Sequence, residues 1–198
     1  MVHHQRDWPS VPPTTYFPVE VVPPPGFDPD DLSTWPKDSG RYEFVDGRLL
    51  YMPPCGEEQG SVTAGVVMAL ASWSLSHPEF VVRTNEIGVS WGRNKRGIDV
   101  AIWRRANLGP ASDGFATVAP LLAVEVAGQN DREPYLRQKA AWYLANDVEI
   151  VWLVFPETRE VIVPVAGQET RYGVGDTLAA HPALPGLQPL VADFFRQL

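Results

Sequence analysis

Leu122-Ala123-Val124-Glu125-Val126-Ala127-Gly128, followed further on by Ile150-Val151-Trp152-Leu153-Val154-Phe155, decides the fold of this chain. Both are apolar runs of strand length, and residues 132–146 between them carry the pattern of a helix. Strand, helix, strand is a β–α–β unit, which sets two parallel strands in one sheet. Around it the signals are antiparallel. Tyr42-Glu43-Phe44-Val45 and Arg48-Leu49-Leu50-Tyr51-Met52 flank Asp46-Gly47, a strong hairpin signal. Further strands are expected at 80–83, 87–91, 98–103, 160–165 and 170–172, and helices at 61–76 and within 190–198. The architecture predicted is α/β (α+β), a mixed central sheet flanked by helices.

Residues 8–37 hold nine prolines and little periodicity. They predict an irregular Pro-rich arm over 1–27 and a short helical turn at 28–35, with one domain over 28–198. A chain of 198 residues supports one sizeable core. It has no run of about 18 apolar residues, so no membrane span is expected. Met1 to Arg6 precedes no apolar stretch, which argues against a secretory signal. One cysteine, Cys55, and four scattered histidines exclude an internal disulfide and offer no zinc spacing. A reducing cytoplasm is the expected location.

Two strands carry an acid among small neighbours. Alternation puts Ile98, Val100 and Ile102 on one side and Gly97, Asp99 and Ala101 on the other. Likewise Leu122, Val124 and Val126 oppose Ala123, Glu125 and Ala127. A buried carboxylate needs a partner: a cation, a donor network or a metal. On the helix after Glu125, Lys139 lies in the middle of the stripe formed by Tyr135, Leu136, Trp142 and Tyr143. A lysine there must snorkel out or meet an anion, and the strand carboxylates are the obvious candidates. The plainer explanation is structural: a lysine stem covering apolar surface with its ammonium at the rim, or a buried ion pair without catalysis.

Net charge is −8, which disfavours non-specific duplex binding. Arg93, Lys95, Arg96, Arg104 and Arg105 nevertheless bracket Asp99. They read either as phosphate holders, Arg93, Lys95 and Arg96 above all, or as a solvated strand edge.

In order along the chain stand Tyr42-Glu43-Phe44-Val45-Asp46-Gly47-Arg48-Leu49, Met52-Pro53-Pro54, Asp99-Val100-Ala101, Val124-Glu125-Val126, Lys139 with Tyr143, Trp152-Leu153-Val154 and Pro156-Glu157-Thr158-Arg159. This ordered set resembles the Uma-type family of restriction-endonuclease-like proteins, a branch of the PD-(D/E)xK nuclease superfamily, over about residues 28–197. The resemblance implies a restriction-endonuclease-like core and phosphodiester hydrolysis of DNA. It gives Asp99 and Glu125 the roles of metal-binding acids, with the Val126 carbonyl as third ligand and Mg²⁺ or Mn²⁺ as the ion. The superfamily lysine would stand at Ala127; here Lys139 matches instead. Glu43 matches an N-terminal acid of the family. Ile98 replaces the usual proline, Gln59 a usual histidine, and Gly128-Gln129-Asn130 a Ser-Pro-Ser-like segment. A homodimer is expected, with Trp73 or Trp91 at its surface. The alternatives are an inactive nuclease scaffold used for binding or assembly, and a hydrolase of smaller phosphodiesters.

Overall fold

The β–α–β unit forms as its pattern dictates: β6 (Leu122–Val126) and β7 (Ile150–Phe155) pair in parallel, joined by helix α2 (Glu133–Leu144). The computed structural model describes residues 15–110, 114–129, 131–165 and 167–198. Its remaining strands are β1 (Val19–Val21), β2 (Arg41–Val45), β3 (Arg48–Met52), β4 (Phe80–Trp91), β5 (Asn94–Arg104), β8 (Glu160–Val165) and β9 (Gln168–Tyr172). All lie in one sheet of order β1-β3-β2-β5-β6-β7-β8-β9, with β4 paired to β5, and every pair but β6–β7 is antiparallel.

Helices cover both faces. Val62, Val66 and Leu70 of α1 (Glu57–Ser74) and Val191 and Phe194 of α3 (Val191–Phe194) pack on Val100, Ile102, Val124 and Val126. On the opposite face Leu136, Ala140 and Tyr143 of α2 pack on Ala101, Trp103, Ala123 and Leu153. Each fully buried large apolar side chain contributes about 1.5–3 kcal/mol, so both helix layers are firmly held.

Four expectations need correction. First, 80–83 and 87–91 are one strand. Asn85 and Glu86, with φ of 68° and 52°, form a bulge between the pairs Thr84–Val100 and Ile87–Ile98, which reads as a break in sequence. Second, Ile98 does not share a face with Val100 and Ile102 but packs with Ala101 and Trp103. The alternation of β5 fails at Asp99, opposite that bulge. Third, α1 starts at Glu57, earlier than the apolar period implies, because Gly56 ends the loop and Glu57 and Glu58 complement the helix N-terminus. Fourth, within the segment 1–27, Val19–Val21 pair with Leu49 to Tyr51 and extend the sheet; residues 1–14 lie outside the described part.

The Asp46-Gly47 turn has φ of 51° and 79°, both positive, as a two-residue hairpin turn requires. Asn130 of the Gly128-Gln129-Asn130 segment lies outside the described residues. Trp73 stacks on His77, and Trp91 packs edge-on against Trp142, so both tryptophans expected at a dimer surface are engaged within the chain. Among the described residues no helix is long and apolar enough to cross a membrane.

Candidate active site

β5 has two edges, and they are used differently. β4 takes one edge along nearly its whole length. The other is shared: β2 meets it at Lys95, and β6 meets it from Val100 to Ile102. Between these contacts the strands part, leaving backbone groups of Gly97 and Val126 without ladder partners. Buried backbone groups must be satisfied somewhere. Here charged and polar side chains do it, and that is why they gather.

At Gly97 the N–H donates to Glu43 Oε1 at 3.1 Å, and the carbonyl accepts from Lys139 Nζ at 3.0 Å. At Val126 the N–H donates to Asp99 Oδ2 at 2.7 Å, and the carbonyl accepts from Gln59 Nε2 at 2.9 Å. Register places Ala101 opposite Ala123, so Asp99 and Glu125 stand next at the split.

Lys139 is the hub. Its ammonium donates to Glu125 Oε2 at 2.8 Å and lies 3.0 Å from Glu43 Oε1, besides the Gly97 carbonyl. Three acceptors match its three protons. Tyr143, one helical turn on, donates to the other Glu125 oxygen at 2.7 Å. Glu43 also accepts from Arg96 Nη1 at 2.7 Å, and the guanidinium lies 4.7 Å from the Trp142 ring centroid. The wrong-face lysine therefore meets anions rather than solvent.

The side chains are nearly closed to water: Glu43 is 1% exposed, Glu125 4%, Lys139 5% and Asp99 7%. Charge states follow. Burial pushes the Glu125 carboxyl up to about 7, with Lys139 opposing and Asp99 and Glu43 adding to the rise. Burial likewise lifts Asp99 above its ordinary value, against Lys139, the Val126 N–H and Arg41. For Glu43 burial is outweighed by Lys139 and Arg96, and the carboxyl sits below its usual range. Burial works against the Lys139 charge, but Glu125 and then Glu43 hold the ammonium well above the ordinary lysine value.

Asp99 differs from Glu125 in surroundings. It lines a cavity of ≈ 710 Å³ together with Gln59 and Thr63 of α1, and its Oδ1 lies 4.0 Å from Arg41 Nη1. Glu125 instead is enclosed by α2. Among the described residues no three Asp, Glu, His or Cys side chains group as a metal site.

The basic residues near Asp99 do not form one patch. Arg93 lies 3.6 Å from Asp28 and 3.9 Å from Asp30, and Lys95 pairs with Asp30 at 2.7 Å. Arg96 is buried against Glu43. Arg93 and Lys95 meet acids because the Asp28–Asp31 segment folds over the β4–β5 turn, whereas Arg96 meets Glu43 of β2. Three residues near the site escape the sequence pattern: Arg41, Asp131 and Glu86. Arg41 opens a hairpin and Glu86 sits in a bulge, so neither has a periodicity to betray it.

A sheet of this order, helices on both faces and an acid–lysine cluster at a strand split define a restriction-endonuclease-like core. The structure is similar to a crystal structure titled a putative nuclease belonging to DUF820 from Anabaena variabilis: TM-score 0.73, 15% identity, 85% of this chain and 97% of that one covered. The sequence matches the Uma2 family, described as putative restriction endonuclease, over residues 29–193, and the chain belongs to that family. No curated protein matches it. The family supports a nuclease-like function, and the structural neighbour shows the fold.

Proposed function

We propose that this chain is a metal-dependent endonuclease hydrolysing phosphodiester bonds of DNA, with Mg²⁺ or Mn²⁺ as cofactor. The observation that carries this reading is that Asp99, bonded to the Val126 N–H, stands beside the Glu125–Lys139–Glu43 network where β5 and β6 part. Asp99, Glu125 and the Val126 carbonyl would hold the ion. These are hard oxygen donors, and Mg²⁺ typically takes only one or two carboxylates. Each keeps acceptor capacity: Val126 O receives one hydrogen bond, and Glu125 one at each oxygen. Bound there, the ion would neutralise charge on the phosphoryl group and acidify a water.

Lys139 is held too firmly charged to accept a proton at neutral pH. Its role is to orient the attacking water or to stabilise charge developing on the phosphoryl oxygens. Glu43 positions Lys139 and Gly97 rather than touching substrate. The test is plasmid nicking in Mn²⁺ by the wild type beside Asp99→Ala and Lys139→Ala. Loss of nicking in both folded variants supports the proposal; equal nicking by all three assigns the activity to a contaminant.

One observation favours a second reading, a non-catalytic scaffold. All three Lys139 protons and both Glu125 oxygens are already satisfied within the protein. Calorimetric titration with Mn²⁺ separates the two: a scaffold whose carboxylates are consumed by Lys139 takes up no ion.

A further inference from the structure

Arg41 is the cation beside the cavity that Asp99 lines, and its guanidinium is occupied. Nε donates to the Pro53 carbonyl at 3.2 Å, which fixes the side chain against the loop after β3. Nη1 is salt-bridged to Glu86 and lies 4.0 Å from Asp99 Oδ1. Arg41 and Glu86 side chains are 27% and 31% exposed, so their pair is partly solvated and weak. Such a pair yields to a better anion. A phosphate is one, because the planar guanidinium fork matches it bidentately.

Glu86 is placed there at a cost. It and Asn85 adopt left-handed backbone angles, φ 52° and 68°, in the only register shift of the β4–β5 pair. Asn tolerates such angles, but Glu does not adopt them readily, so Glu86 is held there against backbone strain. Space is cleared for the carboxylate too: a Cβ at Gly97 would stand 2.6 Å from Glu86 Oε2. A strained bulge and a bare backbone together hold an acid over the split between β5 and β6. Strain of this kind persists where the surrounding structure imposes it.

The cavity supplies the rest. At ≈ 710 Å³ it is within the range of small-ligand sites, and α1 gives it an apolar wall from Ala64, Val67 and Met68. An anion entering beside Asp99 must take Arg41 from Glu86, while its uncharged part lies on that wall. We propose that Arg41 is the phosphate-binding residue of this cavity, that Glu86 holds the phosphate's place on it until displaced, and that the ligand is a nucleoside phosphodiester in single-stranded form. The proposal deepens the hydrolytic reading and rests on it for setting the substrate beside Asp99.

Binding of the dinucleotide thymidylyl-thymidine, measured by calorimetry in EDTA, tests it, with inorganic phosphate as the second probe. Glu86→Gln removes the competing charge and is expected to tighten dinucleotide binding about tenfold over wild type. Arg41→Ala is expected to abolish it, and Arg41→Lys to weaken it, with thermal melts confirming that the variants fold. If Arg41→Ala fails to fold, Glu86→Gln and Arg41→Lys decide. Unchanged affinity in Glu86→Gln, wild-type affinity in an Arg41 variant, or no binding by any form at millimolar dinucleotide overturns the proposal. Phosphate bound as tightly as the dinucleotide overturns the nucleoside assignment. With no divalent ion present, these results stand whether or not plasmid is nicked.

Discussion

Glu125 is where burial and charge are most opposed. Its carboxyl titrates at about 7 in the folded chain, raised first by burial, from an ordinary value of 4.5. Between those values the folded state keeps a proton that the unfolded chain has released. Stability from this group is therefore present at low pH and is lost as pH rises from about 4.5 through 7. Asp99 and Asp131, both raised, act with the same sign. Glu43, lowered, acts oppositely and only below its ordinary value. Glu125→Gln keeps the shape and one of the two acceptors and removes the titration. In EDTA, its melting temperature is expected to change less than that of the wild type between pH 5 and 8, the wild type losing on the order of several degrees more. Parallel pH profiles for the two proteins would contradict this. A companion change isolates the cation. Lys139→Met leaves Glu43 and Glu125 facing each other without it, and is expected to cost about 3–5 kcal/mol in urea denaturation. Adding Glu125→Gln recovers part of that loss if the pair is coupled through Lys139.

At the scale of elements, the close approach of α1 and α3 rests on Gly65. A Cβ there would lie 2.4 Å from the Phe194 carbonyl oxygen, a contact with backbone that no rotamer relieves. Gly65→Ala must push α3 away and loosen Val191 and Phe194, both fully buried. A loss of about 1–3 kcal/mol is expected despite the better helix propensity of alanine, and equal or greater stability would show that α3 shifts freely. Elements also show what sequence pattern reveals and what it hides. The β2–β3 hairpin and the strands β7 and β8 stand where alternation, Asp46-Gly47 and Pro156 put them, since local chemistry determines them. Lys139 is legible for the same reason: a cation in an apolar stripe violates the helical period. β1 is hidden because Val19–Val21 gain strand geometry only from β3, a tertiary partner. The bulge at Asn85 and Glu86 is hidden because Asn85, which tolerates a positive φ, reads as a turn between two strands, and Glu86 announces no such φ. Asp99 is legible as a buried acid, but its partners on Val126 and near Arg41 depend on where the strands part, which no period encodes.

For the whole molecule, charge decides how a nucleic acid would approach. The chain carries 16 Lys and Arg against 24 Asp and Glu. Arg93 and Lys95 are turned toward Asp28 and Asp30, and Arg96 is buried. Beyond the C-terminal ends of β6 and β7, a second cavity of ≈ 470 Å³ is lined by Glu58, Asp131, Glu133, Glu157 and Glu160, with Arg171 among them. A duplex laid across that face would bring phosphates against carboxylates. Few contacts would neutralise phosphate, so few counterions would be released. Anisotropy with a labelled 20-base-pair duplex between 25 and 200 mM KCl is expected to show weak binding, with a log–log slope shallower than about −3, the value for roughly three phosphate contacts. A single strand needs less. It can thread one phosphate to Arg41 while its bases lie on the apolar wall of α1, where burial is indifferent to salt. On the hydrolytic reading, a single-stranded oligonucleotide should then be cut faster than the same sequence as duplex, and the ratio should persist as salt rises. Preference for the duplex, with a steep salt slope, would require a basic surface formed by residues other than Arg93, Lys95 and Arg96.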